Sequence, residues 1–527
     1  MPRQRTTSME RKEKSPTKEL YQKLRHVEWE LLWNEEVPRF NQADATVRLR
    51  NVALVRAVGV VFTESGDPSQ KNEVIGWLRS LLQDPAEKIR RYAMAALPKI
   101  GAGRSEEADL LDLLDRTTLE RERKFLGRTL DKIGGEATLQ SIDKLPPQTA
   151  RKVRASVARG LAPGAIRLDQ PVMDSEGRRI HLRGRRGLEL FVKEEVEQTA
   201  RTRKRFQIQD VRPGLVALGP IAPFTLEDLY ALRCFGTLGI VLGTVTESPG
   251  RDFLRNLAET IASPRSHQLL RALTHGAIRY RLDFISKGHQ RGAVREISDL
   301  VFAMAPEILN DARNAPWAVD IHPAGFRSFV ELRPRLSPDP RFSYRVDDVP
   351  AASHPPLAAC MARLAGSSGE DVIWDPFCGS GLELIERAGL GGVRRIYGSD
   401  LSRAAADVAL RNLEAACVEA PFKIVCGDFR DFAAREGIRP GTLTQIITNP
   451  PMGRRVPIEN LEGLVADLFH VASSLLRDGG CLVFANPRQV KSPEASLRLQ
   501  SSQVVDFGGF DCHLERYIKT GRAGARH

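Results

Sequence analysis

Four residues near the C-terminal end form a rigid turn that could hold a planar nitrogen group. Asn449, Pro450, Pro451 and Met452 lie in the stretch ITNPPMGRRV. Two consecutive prolines cannot sit inside a helix or a central strand. The side-chain oxygen of Asn449 and the backbone carbonyl of Pro450 would accept the two hydrogens of an exocyclic amino group, and such positioning lowers a reaction barrier by alignment. The simpler alternative is a loop that ends a strand.

An earlier glycine turn could bring the backbone close to a ligand. Gly379, Ser380 and Gly381 lie in WDPFCGSGLELIERA, and glycine removes the side chain that would block such an approach. A dinucleotide fingerprint needs a third glycine before the helix, and a phosphate-binding P-loop needs Gly-Lys-Ser/Thr. Neither pattern follows here. Alone, this turn is a weak signal.

Two acidic residues end the next two predicted strands. Asp400, in YGSDLS, follows the glycine turn by about 20 residues, where an acidic side chain can accept the ribose hydroxyls of a nucleoside. The alternative for Asp400 is a helix N-cap. Asp428, in CGDFRDF, could accept from an adenine amino group, with Phe429 beside the ring.

Alternating strands and helices would bring these groups together. From about residue 354 the sequence reads strand, turn, helix repeatedly, which predicts a largely parallel sheet covered on both faces. Ligands of such sheets bind at the carboxyl ends of the strands. Four strand ends with suitable chemistry therefore predict one site.

These motifs support a resemblance. DPFCGSG, YGSD, CGDF and NPPM, in this order, resemble class I S-adenosylmethionine-dependent amino-methyltransferases. SHPPLAACMARLAG just upstream resembles the segment before the glycine turn in THUMP-domain RNA guanine-N2 methyltransferases. The resemblance implies a Rossmann-like domain with a mainly parallel seven-stranded sheet and S-adenosylmethionine as cofactor. The implied cofactor-binding residues are Asp375, Phe377, Gly379, Ser380, Gly381, Asp400, Asp428, Phe429 and Asn449. The implied catalytic residues are Asn449, Pro450, Pro451 and Met452.

One position departs from that family pattern. The residue after the two prolines is usually aromatic and stacks on the target base, and here it is Met452. The expected reaction is methylation of guanine N2 in structured RNA, with tRNA slightly preferred over ribosomal RNA. Two alternatives stay open. One is adenine-N6 methylation of RNA or DNA, and the other is a non-enzymatic RNA or ribosome scaffold with a degenerate methyltransferase domain.

The rest of the chain divides into four further predicted segments. Residues 1–27 look like a flexible basic tail. Residues 28–165 have a helical pattern with a repeat-like spacing of 33 residues between Ile100-Gly101 and Ile133-Gly134, which resembles HEAT-type repeats and could bind a protein partner. Residues 175–335 alternate short strands and helices, and they resemble a ferredoxin-like plus THUMP RNA-binding region. Residues 336–353 form a proline-rich linker to the methyltransferase domain predicted over 354–520.

Charge and cysteine usage point to an intracellular RNA-binding protein. The net charge of +12 predicts an acidic partner such as RNA. The seven cysteines are scattered singly, which predicts no metal site and a reducing compartment. No apolar run reaches the roughly 20 residues of a membrane span, and the N-terminus lacks the apolar core of a secretory signal, so a cytoplasmic location is expected. The sequence leaves the oligomeric state open. Candidate RNA-binding residues are Arg203, Lys204, Arg205, Lys287, His289, Arg291, Arg454 and Arg455.

Overall fold

The computed structural model describes residues 16–161, 163–247, 251–286, 288, 290–350, 352–453 and 460–521. The chain forms two compact units, Met1–Pro163 and Gly164–His527. The predicted RNA-binding residues Lys287, His289, Arg454 and Arg455 lie outside the described residues. Among the described residues, no helix combines the length and apolar character that crossing a membrane requires.

The first unit is helical. Its helices are α1 (Pro16–Leu24), α2 (Trp29–Leu31), α3 (Val37–Gln42), α4 (Ala45–Arg50), α5 (Ala53–Ser65), α6 (Lys71–Ser80), α7 (Glu87–Ala96), α8 (Glu107–Arg116), α9 (Glu120–Ile133), α10 (Glu136–Gln140) and α11 (Pro147–Leu161). Helix α7 follows Asp84-Pro85, and its Ile89, Ala93 and Ala96 are buried. The assignment to HEAT-type repeats stays a prediction.

The tail predicted over residues 1–27 is wrong for Pro16–Leu24, because these residues form α1. Proline favours the first turn of a helix, and Glu19 and Lys23 suit the two ends of the helix dipole. Tyr21 lies under the guanidinium of Arg56 at 4.4 Å. Residues 1–15 lie outside the described part of the chain.

The first half of the second unit contains a mixed eight-stranded sheet. Its order is β3-β4-β2-β5-β10-β9-β7-β8, and β1 pairs with β6 separately. The strands are β1 (Ala165–Ile166), β2 (Ile180–Arg183), β3 (Phe206–Arg212), β4 (Leu215–Pro220), β5 (Thr237–Thr246), β6 (Thr274–His275), β7 (Arg279–Phe284), β8 (Leu309–Asn310), β9 (Trp317–Ala324) and β10 (Arg327–Pro334). The helices are α12 (Glu189–Gln198), α13 (Ala200–Arg203), α14 (Leu226–Tyr230), α15 (Arg251–Ile261), α16 (Pro264–Leu273) and α17 (Arg291–Met304). The strands and helices predicted in this region are present, and its THUMP assignment stays a prediction.

The second half contains the expected mainly parallel seven-stranded sheet. Its order is β13-β12-β11-β14-β15-β17-β16. The strands are β11 (Asp371–Asp375), β12 (Val393–Asp400), β13 (Phe422–Cys426), β14 (Leu443–Thr448), β15 (Leu476–Asn486), β16 (Leu497–Asp506) and β17 (Asp511–Lys519). Strands β11 to β15 are parallel, β17 pairs antiparallel with β15, and β16 pairs antiparallel with β17. The helices are α18 (Pro355–Ala365), α19 (Leu382–Gly389), α20 (Arg403–Ala415), α21 (Phe432–Glu436) and α22 (Leu461–Leu475). All residues of β11 and β14 are buried, because helices cover both faces of such a sheet.

The segment predicted as a linker packs firmly between the two sheets. Arg341 is buried, donates to the carbonyl oxygen of Phe235 at 2.7 Å, and its guanidinium lies 4.0 Å from the centre of the Phe235 ring. The hydroxyl of Tyr344 donates to Glu386 at 2.5 Å. Glu386 also pairs with Arg233 at 2.6 Å. The connection therefore fixes the second sheet relative to the first.

Candidate functional site

A cavity of about 750 Å³ opens at the carboxyl ends of the parallel strands. This volume lies within the roughly 300–1,000 Å³ of small-molecule sites. Its lining includes six of the predicted cofactor residues, namely Phe377, Gly379, Ser380, Asp400, Phe429 and Asn449. It also includes Pro450, Pro451 and Met452. Asp375, Gly381 and Asp428 lie outside the lining.

The glycine turn has a backbone that favours glycine. Gly379 and Gly381 have φ values of +51° and +82°, in the left-handed region that side chains rarely adopt. A Cβ atom on Gly381 would lie 3.3 Å from the Cβ of Ala409. The Gly379 N–H donates to Asp400 at 3.0 Å. The turn therefore ties β11 to β12 and starts α19.

A buried asparagine that the sequence did not reveal anchors this turn. Asn412, on α20, donates to the carbonyl oxygens of Ser380 at 2.9 Å and Asp347 at 3.1 Å. Its side-chain oxygen accepts from the Asp347 N–H at 3.1 Å. Asn412 is fully buried, so its amide is a structural link between the turn and the preceding segment.

Two carboxyl groups lie beneath the turn. Asp375 is fully buried and accepts from the Phe377 N–H at 3.0 Å and the Thr448 hydroxyl at 2.5 Å. Its second oxygen, Oδ2, is buried and has no hydrogen-bond partner in the described part of the chain. Burial raises the pKa of Asp375 well above its usual range, and the charge of Glu383 adds to this effect. Burial also raises the pKa of Glu383.

The Asn449 side chain is oriented by its own network. Its amide nitrogen donates to the Ser353 hydroxyl oxygen at 2.9 Å, and the Ser353 hydroxyl donates to Glu383. The Asn449 side-chain oxygen is buried and has no hydrogen-bond partner among the residues that the structure describes. Because Asn449 lines the cavity, this oxygen is a preformed acceptor for a group with an N–H bond.

The third strand end differs from expectation in one respect. Asp428 accepts from the backbone and the guanidinium of Arg430, at 2.9 and 2.8 Å. Its neighbour Phe429 is 3% exposed and lines the cavity, with its ring 4.9 Å from that of Phe377. The ring therefore faces the cavity while the carboxylate pairs with Arg430. The adenine role of Asp428 stays a prediction.

The described RNA-binding candidates lie in two separate places. Arg203 and Lys204 are exposed just before β3. Arg205 donates to the carbonyl oxygen of Pro223 and pairs with Asp228 at 3.3 Å. Arg291 is exposed at the start of α17, which follows β7. Strands β3 and β7 are separated by six strand spacings, or roughly 30 Å, so the two groups belong to different parts of the sheet.

The sequence alone did not indicate several of the residues that line the cavity. Ser353 and Glu383 lie within or beside the quoted motifs, but neither forms a recognisable pattern. Arg185, Phe507 and Phe510 also line the cavity, although they are distant in sequence. For these three residues, only the pairing of strands could have revealed their position.

The residues around the cavity can be compared with the chemical groups of S-adenosylmethionine. The cofactor carries an ammonium group. Glu383 lines the cavity, and the neighbouring Asp375, outside the lining, has a buried oxygen with no hydrogen-bond partner among the described residues. The glycine turn leaves open backbone, and Phe377 and Phe429 give aromatic surface. The donor and acceptor groups match those of the cofactor, so the residues present fit it.

The strand order, the glycine turn and the cavity give this half of the unit a Rossmann-like fold of the kind found in methyltransferases. Residues 343–515 match the family model described as RMKL-like, methyltransferase domain. A tRNA (guanine(10)-N2)-dimethyltransferase of Methanothermobacter thermautotrophicus is 34% identical over 161 residues, which cover 30% of this chain and 43% of that protein. The enzyme of the same name from Methanocaldococcus jannaschii is 31% identical over 175 residues, or 32% of this chain and 47% of that protein. The chain thus spans less than half the length of these two relatives.

A solved structure extends the likeness of fold. The crystal structure of TrmN from Thermus thermophilus superposes with a TM-score of 0.53 at 21% identity, covering 65% of this chain and 99% of that one. At this identity the likeness concerns the fold alone.

Proposed function

We propose that the protein transfers a methyl group from S-adenosylmethionine to the exocyclic N2 of a guanine in structured RNA, with tRNA slightly preferred over ribosomal RNA. The observation that carries this proposal is the Asn449 side-chain oxygen, a buried acceptor that has no partner among the described residues and lies at the same cavity as the glycine turn. The names of the two curated relatives, both tRNA guanine-N2 dimethyltransferases, support guanine as the target.

The bound cofactor would supply an electrophilic methyl group. Asp375 and Glu383 would hold its ammonium group, and Asp400 the ribose. Phe429 would lie against the adenine, with Asp428 as the predicted acceptor for its amino group. Gly379, Ser380 and Gly381 would leave room for the methionine part.

The rigid Asn449–Met452 turn, or elbow, would hold the nucleophile. An amino group conjugated to a base is planar and a weak nucleophile, so its alignment matters. The Asn449 oxygen and the Pro450 carbonyl would accept its two hydrogens, and the prolines would keep both acceptors in place. Because a paired base is out of reach, the guanine would be flipped out or taken from an unpaired region.

The remaining segments suit RNA binding. We assign the eight-stranded sheet region to a ferredoxin-like plus THUMP module, with Arg203, Lys204, Arg205 and Arg291 as contacts to RNA. The first unit would provide HEAT-like repeats for a protein partner. A cytoplasmic location fits a tRNA-modifying role.

Methyl transfer from labelled S-adenosylmethionine to total RNA, followed by digestion and nucleoside identification, tests the proposal. N2-methylguanosine in the tRNA fraction is the expected product, and Asp400→Ala abolishes it. The matched control is Asp407→Ala, which removes an exposed aspartate on α20, the helix after β12. This variant keeps activity. N6-methyladenosine without methylguanosine would overturn the guanine assignment. Cofactor binding without any methylation would favour a scaffold.

A further inference from the structure

Two phenylalanines occupy the turn between β16 and β17 at the edge of the candidate site. Thr448 of β14 pairs with Phe484 of β15. In β15 and β17, Asn486 pairs with His513, and the β16–β17 hairpin closes at the Asp506–Asp511 pair. The turn of residues 507–510 therefore lies at the same edge of the sheet as the elbow that follows Thr448.

The sheet order separates this turn from the predicted cofactor side. The glycine turn, Asp400 and Phe429 follow β11, β12 and β13, on one side of β14. Strands β15, β17 and β16 lie on the other side. Strand β17 is two spacings from β14, or about 10 Å. The elbow is thus placed between the two halves of the cavity.

Hydrogen bonds hold the turn in one conformation. The Asp506 side chain accepts from the Gly508 and Gly509 N–H groups at 2.8 and 2.9 Å. The Phe507 N–H donates to the Phe510 carbonyl oxygen at 2.8 Å. Gly508 and Gly509 have φ values of +94° and +97°, which only glycine adopts readily.

The turn is also docked on the first half of the unit. The Asp506 N–H donates to the carbonyl oxygen of Arg186 at 2.9 Å, and Arg185 donates to the Asp506 carbonyl oxygen at 3.1 Å. The Arg185 guanidinium lies 5.9 Å from the centre of the Phe507 ring. A positive charge therefore accompanies the rings at the cavity.

Both rings keep exposed surface and line the cavity together with Met452. They are half-buried, with ring centres 5.9 Å apart and planes inclined by 47°. Phe507 also packs against the large buried core of the unit, which fixes its ring. Exposed aromatic faces beside a cationic side chain are the features that bind unstacked bases.

We infer that Phe507 and Phe510 form an aromatic subsite that stacks on the flipped purine whose amino group Asn449 holds. The two rings supply the stacking face that Met452 does not provide. Arg185 attracts the neighbouring phosphate. This inference rests on the proposed function. It assigns an RNA base to the part of the cavity beside β15 and β17.

The test compares ring-deleting and ring-keeping variants in single-turnover methyl transfer to RNA. Phe510→Leu and Phe507→Leu keep apolar volume but remove the ring, and each is expected to lower kcat/KM for RNA roughly 5- to 150-fold, as one lost base stack would. Phe510→Tyr keeps the ring, and its kcat/KM for RNA is expected to lie within about twofold of the wild-type value. The dissociation constant of S-adenosylhomocysteine, measured by calorimetry, stays unchanged in all variants.

Three outcomes would overturn the inference while leaving the proposed function intact. The first is a wild-type rate in both leucine variants. The second is a loss of S-adenosylhomocysteine affinity as large as the loss of rate, which would assign the rings to the cofactor. The third is a larger loss in Met452→Ala than in Phe510→Leu. A wild-type protein that methylates no RNA would instead refute the proposed function itself, and the subsite with it.

Discussion

The Asn449 amide nitrogen lies 2.9 Å from the Ser353 hydroxyl oxygen, and this contact determines which way the Asn449 amide faces. Ser353 donates its own proton to Glu383, so its oxygen is available as an acceptor and favours the amide nitrogen over the amide oxygen. The Asn449 oxygen consequently has no partner within the described ranges of the chain. A serine outside the Asn-Pro-Pro motif therefore prepares the acceptor that the motif presents.

Replacing this serine should slow methyl transfer without weakening cofactor binding. In Ser353→Ala, Asn449 loses the bond that orients its amide, and a hydrogen bond of this type is worth about 1 kcal/mol. We expect the single-turnover rate constant for methyl transfer to fall about 5- to 10-fold. Ser353→Thr keeps the hydroxyl and should retain most of the rate. Equal rates for the alanine variant and the wild type would show that Ser353 does not position Asn449.

Removing the acceptor itself should cost much more. In Asn449→Ala the amino group of the base loses one of its two acceptors, and loss of a single polar group aimed at the reacting centre commonly costs 10²- to 10³-fold in rate. We expect a loss of that order in kcat. Because Asn449 was also predicted to contact the cofactor, S-adenosylhomocysteine affinity is measured in parallel. An affinity loss that accounts for the whole rate loss would move Asn449 from the substrate to the cofactor.

The sequence predicted the parts of the site that follow parallel strands in order. The glycine turn, Asp400, Phe429 and the elbow each come directly after a strand, and the carboxyl ends of parallel strands share one edge. The seven-stranded sheet follows from the same alternation of strands and helices. These features depend on local patterns, which a single sequence displays.

The remaining site residues depend on contacts between distant segments. Phe507 and Phe510 reach the cavity only because β17 pairs with β15 in a particular register, and no short motif encodes that pairing. Asn412 is one of many polar residues on helices, and its burial between Ser380 and Asp347 becomes visible only in three dimensions. For Asp428 the motif suggested a contact to the cofactor, but its carboxylate forms an ion pair with Arg430, two residues later.

Cofactor affinity should fall as the pH is lowered, and the fall should begin at higher pH than ordinary carboxyl groups would cause. Burial raises the pKa of Asp375 and of Glu383, so these groups take up protons at higher pH than ordinary carboxyl groups do. Protonation removes the negative charge that would hold the ammonium group. Calorimetric titrations of S-adenosylmethionine from pH 8 to pH 5 should show a rising dissociation constant, by up to about tenfold per pH unit for one linked proton.

Glu383→Gln provides the control for this pH dependence. It removes one of the two titrating groups and should flatten the curve, while the exposed Asp407→Asn should leave it unchanged. A dissociation constant of the wild type that is independent of pH over this range would contradict the assignment of the two carboxyl groups to the ammonium site.

A buried ion pair should stabilise the eight-stranded sheet independently of catalysis. Glu331 is 1% exposed and accepts from His181 at 2.6 Å and from Arg183 at 2.9 Å. Burial alone would raise the pKa of Glu331, but the bonds from Arg183 and His181 outweigh it and lower this pKa to about 2. Breaking such a pair costs about 3 kcal/mol, so Glu331→Gln should lower the free energy of opening of β10 by about that amount at pH 7.

Hydrogen exchange of the β10 amides measures this effect and its pH dependence. Because the pKa of Glu331 is lowered on folding, its contribution is complete above about pH 4.5 and disappears as the pH falls through about 2. The difference between wild type and Glu331→Gln should therefore shrink from pH 7 to pH 3. Glu259→Gln, which removes an exposed pair with Arg255 on α15, should change stability by less than about 1 kcal/mol. A Glu331→Gln variant as stable as this control would show that the buried pair contributes nothing.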